Sequence, residues 1–204
     1  MDEISRAQQL PSSLTSRKTT RLRERSPSRV WPLAALNGRA PVILNPGASD
    51  TRGIELAYER QHPTDFIESA APGTEHGTAT HFTPPMTPAL SIDDGVIMYA
   101  GRYGYGFGII VNHLNGWASH YSNLSALCAV RTDLHRPSEQ RVRAGDVIGY
   151  VGAPTSGAFK RLYFELWESN HAHHFVPVDP RERLKDWRLA HHTDHSTPLI
   201  PEAA

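Results

Sequence analysis

The chain has 204 residues, in which 21 lysines and arginines balance 21 aspartates and glutamates, and it contains 12 histidines. This length is enough for one domain with a hydrophobic core. A hydrophobic content of 39% and a charged content of 21% exclude a wholly disordered chain. No run reaches the roughly 18 apolar residues of a membrane span, and the zero formal charge gives no general attraction to nucleic acid. The single Cys128 excludes an intrachain disulfide and a cysteine-rich zinc site.

Residues 1–29 are basic and polar, and no helical or strand period is sustained there. This composition predicts a disordered tail. A secretory signal needs an apolar core of about 7–15 residues soon after the first charges. The first apolar cluster, 30–36, is short and is interrupted by Pro32. We therefore expect no export signal in this segment.

From residue 30 onward, short runs rich in Val, Ile and Tyr alternate with Gly, Pro and Asn, a pattern typical of antiparallel strands. The runs are 41–44, 53–58, 95–100, 108–113, 117–121, 146–151 and 162–167. Asn115-Gly116 predicts a type I′ hairpin turn. Asp179 before Pro180 predicts the N-cap of a helix over 181–190. We expect one domain over 30–190, with an insertion at 59–83 rich in Pro and Gly and a flexible tail at 191–204.

Several segments carry motifs that follow one another in a fixed order. They are 52–56 (RGIEL), 87–101 (TPALSIDDGVIMYAG), 108–117 (GIIVNHLNGW), 121–125 (YSNLS), 142–152 (VRAGDVIGYVG), 161–167 (RLYFELW) and 178–180 (VDP). In order and spacing they resemble the LytM/lysostaphin-type peptidoglycan metallopeptidases, peptidase family M23. The resemblance implies a mainly β fold: an antiparallel two-sheet LytM-like domain (duplicated hybrid motif) with one C-terminal helix.

In that family three protein ligands and one open position let a zinc ion activate water. The resemblance aligns the three ligand positions with Thr51, Glu55 and Tyr163, and two proton-transfer positions with Asn123 and Arg161. All five residues depart from the family pattern, and only Glu55 keeps a side chain suited to zinc. An arginine at this place repels a cation. The resemblance therefore implies a degenerate member without zinc peptidase activity, and we expect no cofactor.

The emptied groove formed by these five residues is expected to bind a peptidoglycan peptide or a cell-wall hydrolase such as an amidase, with Arg161 holding a carboxylate. The family resemblance implies a place in the cell envelope. The alternative is an active metalloendopeptidase, phage-borne or plasmid-borne, with zinc held by the relocated ligands Glu55, His81 and His120. His113 is predicted to be a hydrogen-bonded framework residue, and Glu165 to pair with Arg161 or Arg102.

Overall fold

The computed structural model describes residues 29–44, 52–59, 81–83, 86–104, 106–128, 140–152, 161–170 and 174–192. Within these ranges the chain forms strands and one short helix. In chain order they are β1 (Ala35–Leu36), β2 (Val42–Ile43), β3 (Gly53–Glu59), β4 (His81–Phe82), β5 (Pro88–Leu90), β6 (Gly95–Tyr103), β7 (Gly106–Asn112), β8 (Trp117–Leu127), β9 (Arg141–Val142), β10 (Val147–Val151), β11 (Leu162–Ser169), β12 (Phe175–Val178), α1 (Pro180–Leu184) and β13 (His191–His192).

The main sheet is antiparallel, and its strands lie in the order β2-β3-β11-β8-β7-β6-β9. Strand β12 adds to β11 and β4 adds to β3, while β10 joins β8 to β5. In register, Glu165 of β11 lies opposite both Gly53 of β3 and His120 of β8. The predicted mainly β, antiparallel fold with one C-terminal helix is confirmed.

The hydrophobic core lies against one face of this sheet because alternate residues of each strand point to the same side. Phe164 of β11 packs edge-to-face against Tyr121 of β8, with ring centroids 5.3 Å apart. The Phe164 ring also meets Trp187, which follows the helix, at 6.5 Å. The fully buried members of the core include Leu33, Ile54, Leu56, Ile92, Ile97, Ile109, Leu124, Ile148, Leu162 and Leu166.

The two ends of the described domain are joined by a short parallel pairing. Ala35 of β1 lies opposite His191 of β13, and Val30 bridges Arg188. The predicted boundary at residue 190 therefore falls two residues short, because His191 and His192 belong to a strand. Residues 1–28 and 193–204, predicted as tails, lie outside the described residues, as do residues 60–80 of the predicted insertion.

Two local predictions differ from the structure. The hairpin between β7 and β8 forms, but positive φ angles occur at Leu114 (58°) and Gly116 (89°) rather than at Asn115. The predicted type I′ turn at Asn115-Gly116 is therefore wrong, because the loop is longer and closes with the amide of His113 bonded to the carbonyl of Trp117. The helix begins as predicted, with Asp179 accepting from the Arg181 amide, but it ends at Leu184.

Candidate functional site

The face of the sheet opposite the core carries polar and aromatic side chains. On β11 the core positions Leu162, Phe164 and Leu166 are fully buried, so strand alternation places the intervening residues on the opposite face. We call this the polar face and define it by Glu55 of β3, His120 of β8, Tyr163 and Glu165 of β11, and Arg161, which directly precedes β11. Tyr163 lies opposite Glu55 in register, and Glu165 lies opposite His120. The antiparallel pairing thus brings residues far apart in sequence into one row.

Glu165 is the centre of a buried hydrogen-bond network. Its Oε1 accepts from the Tyr163 hydroxyl at 2.8 Å, and its Oε2 accepts from the Trp167 indole N–H at 2.8 Å. The Nδ1 atom of His120 lies 3.3 Å from the same Oε2. Tyr163 reaches this position by lying directly over Gly53, where a methyl group would come within 2.4 Å of its hydroxyl oxygen. A glycine at 53 is therefore needed for the tyrosine to reach Glu165.

These contacts keep the buried Glu165 negatively charged. Burial acts to raise the pKa of this carboxyl, but the hydrogen bond and charge of His120, with the hydrogen bonds of Tyr163 and Trp167, outweigh it and hold the pKa below its usual range. The same carboxylate acts on its surroundings, since burial first and the Glu165 charge second raise the pKa of the Tyr103 hydroxyl. The prediction that Glu165 pairs with Arg161 or Arg102 is wrong, because its carboxylate is instead hydrogen-bonded to His120, Tyr163 and Trp167.

Arg161 instead forms an ion pair with Glu55. Its guanidinium Nη1 donates to Glu55 Oε2 at 3.0 Å. The pair is half-exposed, with 44% of the Arg161 side chain and 31% of the Glu55 side chain accessible. The resemblance aligns Glu55 with a zinc-ligand position and Arg161 with a proton-transfer position. The positive charge of Arg161 therefore lies beside the one acidic side chain retained at the ligand positions.

The remaining predicted site residues are less closely associated. Asn123 follows Ser122, the β8 partner of Tyr163, and adopts a positive φ of 62°. Its carbonyl accepts from the Gly152 amide at 2.9 Å. Thr51 lies outside the described residues, and His81 is described only through the pairing of its backbone in β4 with Glu59. The structure thus brings Glu55, Arg161 and Tyr163 together and places Asn123 one residue beyond their row.

The side chains at these positions do not fit a zinc ion. Arg161 is a permanent cation, and the Tyr163 hydroxyl is directed at Glu165 as a donor. Zinc requires deprotonated or neutral nitrogen, sulfur or carboxylate ligands. Among the described residues, no group of three or more His, Cys, Asp or Glu side chains is placed to hold a metal ion. Two of the relocated ligands in the alternative have described side chains, and both are engaged elsewhere. Glu55 accepts a hydrogen bond from Arg161, and the Nδ1 atom of His120 lies within hydrogen-bonding distance of Glu165.

Sequence reasoning missed the pairing of His120 with Glu165 and the aromatic side chains around it. The ring centroid of Tyr103 lies 4.5 Å from that of His120 in an edge-on arrangement, and the ring centroid of Tyr163 lies 6.4 Å from it. The signal that could have found the pair is strand alternation combined with register, since Glu165 and His120 are both one position away from residues of the core. His113, by contrast, is hydrogen-bonded as predicted, with its ring nitrogens 3.1 Å from the Asp94 carbonyl oxygen and 2.7 Å from the Ser119 hydroxyl.

Comparison with known proteins places this fold in a family. Residues 74–180 match the model of peptidase family M23. The chain is 34% identical over 91 residues to the DD-carboxypeptidase/endopeptidase Mpg of Neisseria meningitidis, a segment that covers 44% of this chain and 19% of that protein. It is 34% identical over 100 residues to the cell division protein DipM of Caulobacter vibrioides, covering 48% of this chain and 15% of that protein.

Among solved structures, the antimicrobial peptidase lysostaphin of Staphylococcus simulans is similar with a TM-score of 0.48 at 19% identity, covering 84% of this chain and 60% of that one. The chain spans less than a fifth of the length of the two curated relatives. None of the helices in the described ranges has the length and apolar character needed to cross a membrane. The family match begins after Thr51 and Glu55 and ends at Pro180, and it covers more than half of the chain. The chain belongs to peptidase family M23.

Proposed function

We propose that this chain is a non-catalytic M23 domain that binds a cell-wall peptide through the polar face. The observation that carries the proposal is the Arg161–Glu55 ion pair, with the guanidinium 3.0 Å from the one carboxylate left at the aligned ligand positions. The positive charge of Arg161 repels a metal ion at this place. Peptide binding, unlike zinc hydrolysis, makes use of that charge.

Arg161 is suited to hold a carboxylate. A guanidinium presents five N–H donors in a planar fork, which matches the two oxygens of a carboxylate. One of these donors serves Glu55, and the side chain is 44% exposed. A peptide carboxylate can therefore bind beside Glu55 or displace it. The relatives Mpg and DipM, named for peptidase activity and for cell division, support a cell-wall peptide as the ligand class.

The proposal is tested by isothermal titration of the purified protein with soluble peptidoglycan stem peptides that end in a free carboxylate. Arg161→Ala is expected to weaken binding at least about tenfold, since hydrogen bonds to charged groups are among the stronger ones. Glu55→Gln is expected to strengthen binding, because it releases the guanidinium. Arg183→Ala is the matched control: its side chain is 50% exposed and lies 3.8 Å from Glu168, but it is on α1 and packs over Trp117. Equal binding by Arg161→Ala and wild type would reject the proposal.

The same preparation distinguishes the other functions. Stoichiometric zinc with chelator-sensitive clearing of peptidoglycan suspensions would support the active metalloendopeptidase and overturn the proposal. Absence of peptide binding, together with Arg161-dependent capture of a purified cell-wall amidase, would assign the polar face to a hydrolase partner instead.

A further inference from the structure

Three tyrosine side chains run along the polar face of the sheet, and each passes over a glycine. The pairs are Tyr99 over Gly101, Tyr103 over Gly108, and Tyr163 over Gly53. A side-chain carbon added at any of these glycines would come within 2.9 Å of the tyrosine above it, whereas non-bonded carbon atoms are normally about 3.5–4.0 Å apart. The tyrosines can therefore lie along the sheet because these three positions lack side chains. We call Tyr99, Tyr103 and Tyr163 the tyrosine platform.

The tyrosine platform crosses the polar face from β6 to β11. Tyr99 and Tyr103 are four residues apart on β6 and point to the same side, the side on which the ring of Tyr103 lies 4.5 Å from that of His120. Tyr163 of β11 lies 6.4 Å from the same imidazole. Because β6 and β11 are on opposite sides of β8 in the sheet, the two tyrosines approach His120 from opposite sides. The three strand spacings from β11 to β6 amount to about 14 Å.

Two of the platform rings are fixed through their polar ends. The Tyr163 hydroxyl donates to Glu165 at 2.8 Å, and the Tyr99 hydroxyl donates to the carbonyl of Arg102. All three platform tyrosines remain partly exposed. The platform therefore presents aromatic surface that is held in place before a ligand arrives, and such a surface loses less conformational entropy on binding.

A surface of aromatic rings suits a sugar. The face of an aromatic ring is negative and its edge is positive, so the face attracts the positively polarised C–H groups of another molecule. A pyranose ring carries such C–H groups on its faces, while its hydroxyl groups project from the rim and stay hydrated. Tyrosine hydroxyls are uncharged at neutral pH. The platform therefore matches a neutral sugar better than an ionised group.

The tyrosine platform also adjoins the charged part of the polar face. Tyr163 lies opposite Glu55 in register, and Glu55 is paired with Arg161. A ligand that combines an uncharged sugar with a carboxylate would meet an uncharged surface and a guanidinium side by side. Cell-wall stem peptides have this composition where they are still joined to the glycan strand.

We propose that the tyrosine platform binds the glycan strand of the cell wall, with the faces of N-acetylated amino sugars stacked on its rings. The sugar site rests on the proposed function and defines its ligand more closely. That ligand is a stem peptide still joined to its sugar, with the peptide carboxylate at Arg161 and the sugar on the platform.

The test uses a peptide-free sugar and the tyrosine ring resonances of the full-length protein. The probe is tri-N-acetylchitotriose, which has amino-sugar rings and no carboxylate, and its control is sorbitol, which has hydroxyl groups but no ring. The probe is expected to shift the ¹H–¹³C ring resonances of Tyr103 and Tyr163, and sorbitol is not. Tyr58 and Tyr121 are buried in the core, so their resonances should stay unchanged as internal controls. Unshifted platform resonances, or equal shifts with sorbitol, overturn the proposal.

Substitutions at one platform position separate the aromatic ring from general apolar character. Tyr103→Leu keeps an apolar side chain but removes the ring, and should weaken probe binding about tenfold. Tyr103→Phe, which restores the ring, should restore binding. Tyr150→Leu is the matched control, since Tyr150 is partly exposed on β10, a strand that carries no platform residue. Urea denaturation verifies that each variant is folded. Equal probe binding by folded Tyr103→Leu and wild type overturns the sugar site.

The sugar site and the proposed function fail separately. If stem-peptide binding depends on Arg161 while the sugar probe shifts no platform resonance, the sugar site is overturned and the proposed function stands. If the probe shifts the platform resonances while no stem peptide binds, the sugar site stands and the proposed function fails alone.

Discussion

Strand β11 presents two faces that differ in what holds their side chains in place. The core face, with Leu162, Phe164 and Leu166, is held by apolar contacts that need no particular partner. The polar face is held by specific bonds, from Tyr163 to Glu165 and from Arg161 to Glu55. The comparison teaches that substitutions one residue apart should have different consequences: core-face changes reduce stability, and polar-face changes alter protonation and binding.

The largest effect is expected on the core face. Phe164→Ala removes a fully buried ring that meets Tyr121 and Trp187 at 5.3 and 6.5 Å. Such truncations lower the free energy of unfolding by about 3–5 kcal/mol. Urea denaturation followed by tryptophan fluorescence measures the loss. Phe164→Leu, which keeps part of the volume, should lose less. A loss under about 1 kcal/mol for Phe164→Ala would mean that this face is not the core of the domain.

A smaller loss is expected for Glu165→Gln on the polar face. Three donors converge on this carboxylate. In a glutamine whose oxygen faces Trp167 and His120, the amide nitrogen donates to the Tyr163 hydroxyl, which must turn to accept it. We expect a loss of about 2 kcal/mol, because hydrogen bonds to a charged group are replaced by weaker neutral ones. Glu168→Gln is the control, since Glu168 is partly exposed and 3.8 Å from Arg183, and should change the unfolding free energy by less than about 0.5 kcal/mol. Equal losses in the two variants would contradict the network.

The same carboxylate makes stability depend on acid. The folded pKa of Glu165 lies below its ordinary value of 4.5. Its stabilising contribution is therefore complete above that value and is lost as the pH falls through the folded pKa, because the unfolded chain takes up the proton first. Urea denaturation at a series of pH values below 5 should show a steeper decline in wild type than in Glu165→Gln. Parallel declines would show that Glu165 is not held charged.

Tyr163→Phe should have a still smaller effect on stability but a specific effect on protonation. The substitution keeps the ring over Gly53 and removes the hydroxyl that donates to Glu165 at 2.8 Å. The expected loss is about 1 kcal/mol, with a raised pKa for Glu165 because one of its three donors is gone. Side-chain carboxyl ¹³C shifts followed against pH measure this pKa. Tyr99→Phe is the control, since the Tyr99 hydroxyl donates to the Arg102 carbonyl. An unchanged pKa in Tyr163→Phe would contradict the network.

The sequence predicted the core face of β11 better than the polar face for a physical reason. Alternation of apolar residues reports which face is buried, so the strands and the antiparallel class followed from local pattern, while the hydrogen-bonded role of His113 followed from the family resemblance. The partner of Glu165 could not be predicted from local pattern. It depends on the register between β11 and β8, which places His120 rather than Arg161 or Arg102 opposite the carboxylate. The end of the helix was also predicted wrongly: the helix was expected to run to residue 190, because Trp187 and Leu189 continue a helical period from Leu184, but it ends at Leu184.

The smallest effect on stability is expected for the ion pair of Arg161 and Glu55. Both side chains are partly exposed, and such pairs contribute about 0.2–1 kcal/mol in double-mutant cycles and less at high salt. A cycle of Glu55→Ala, Arg161→Ala and the double variant should give a coupling energy in this range by urea denaturation, although Arg161→Ala is expected to weaken peptide binding tenfold. A coupling energy above about 2 kcal/mol would show a pair too costly to open for a ligand, and Arg161 would then be a structural residue like Phe164 on the opposite face.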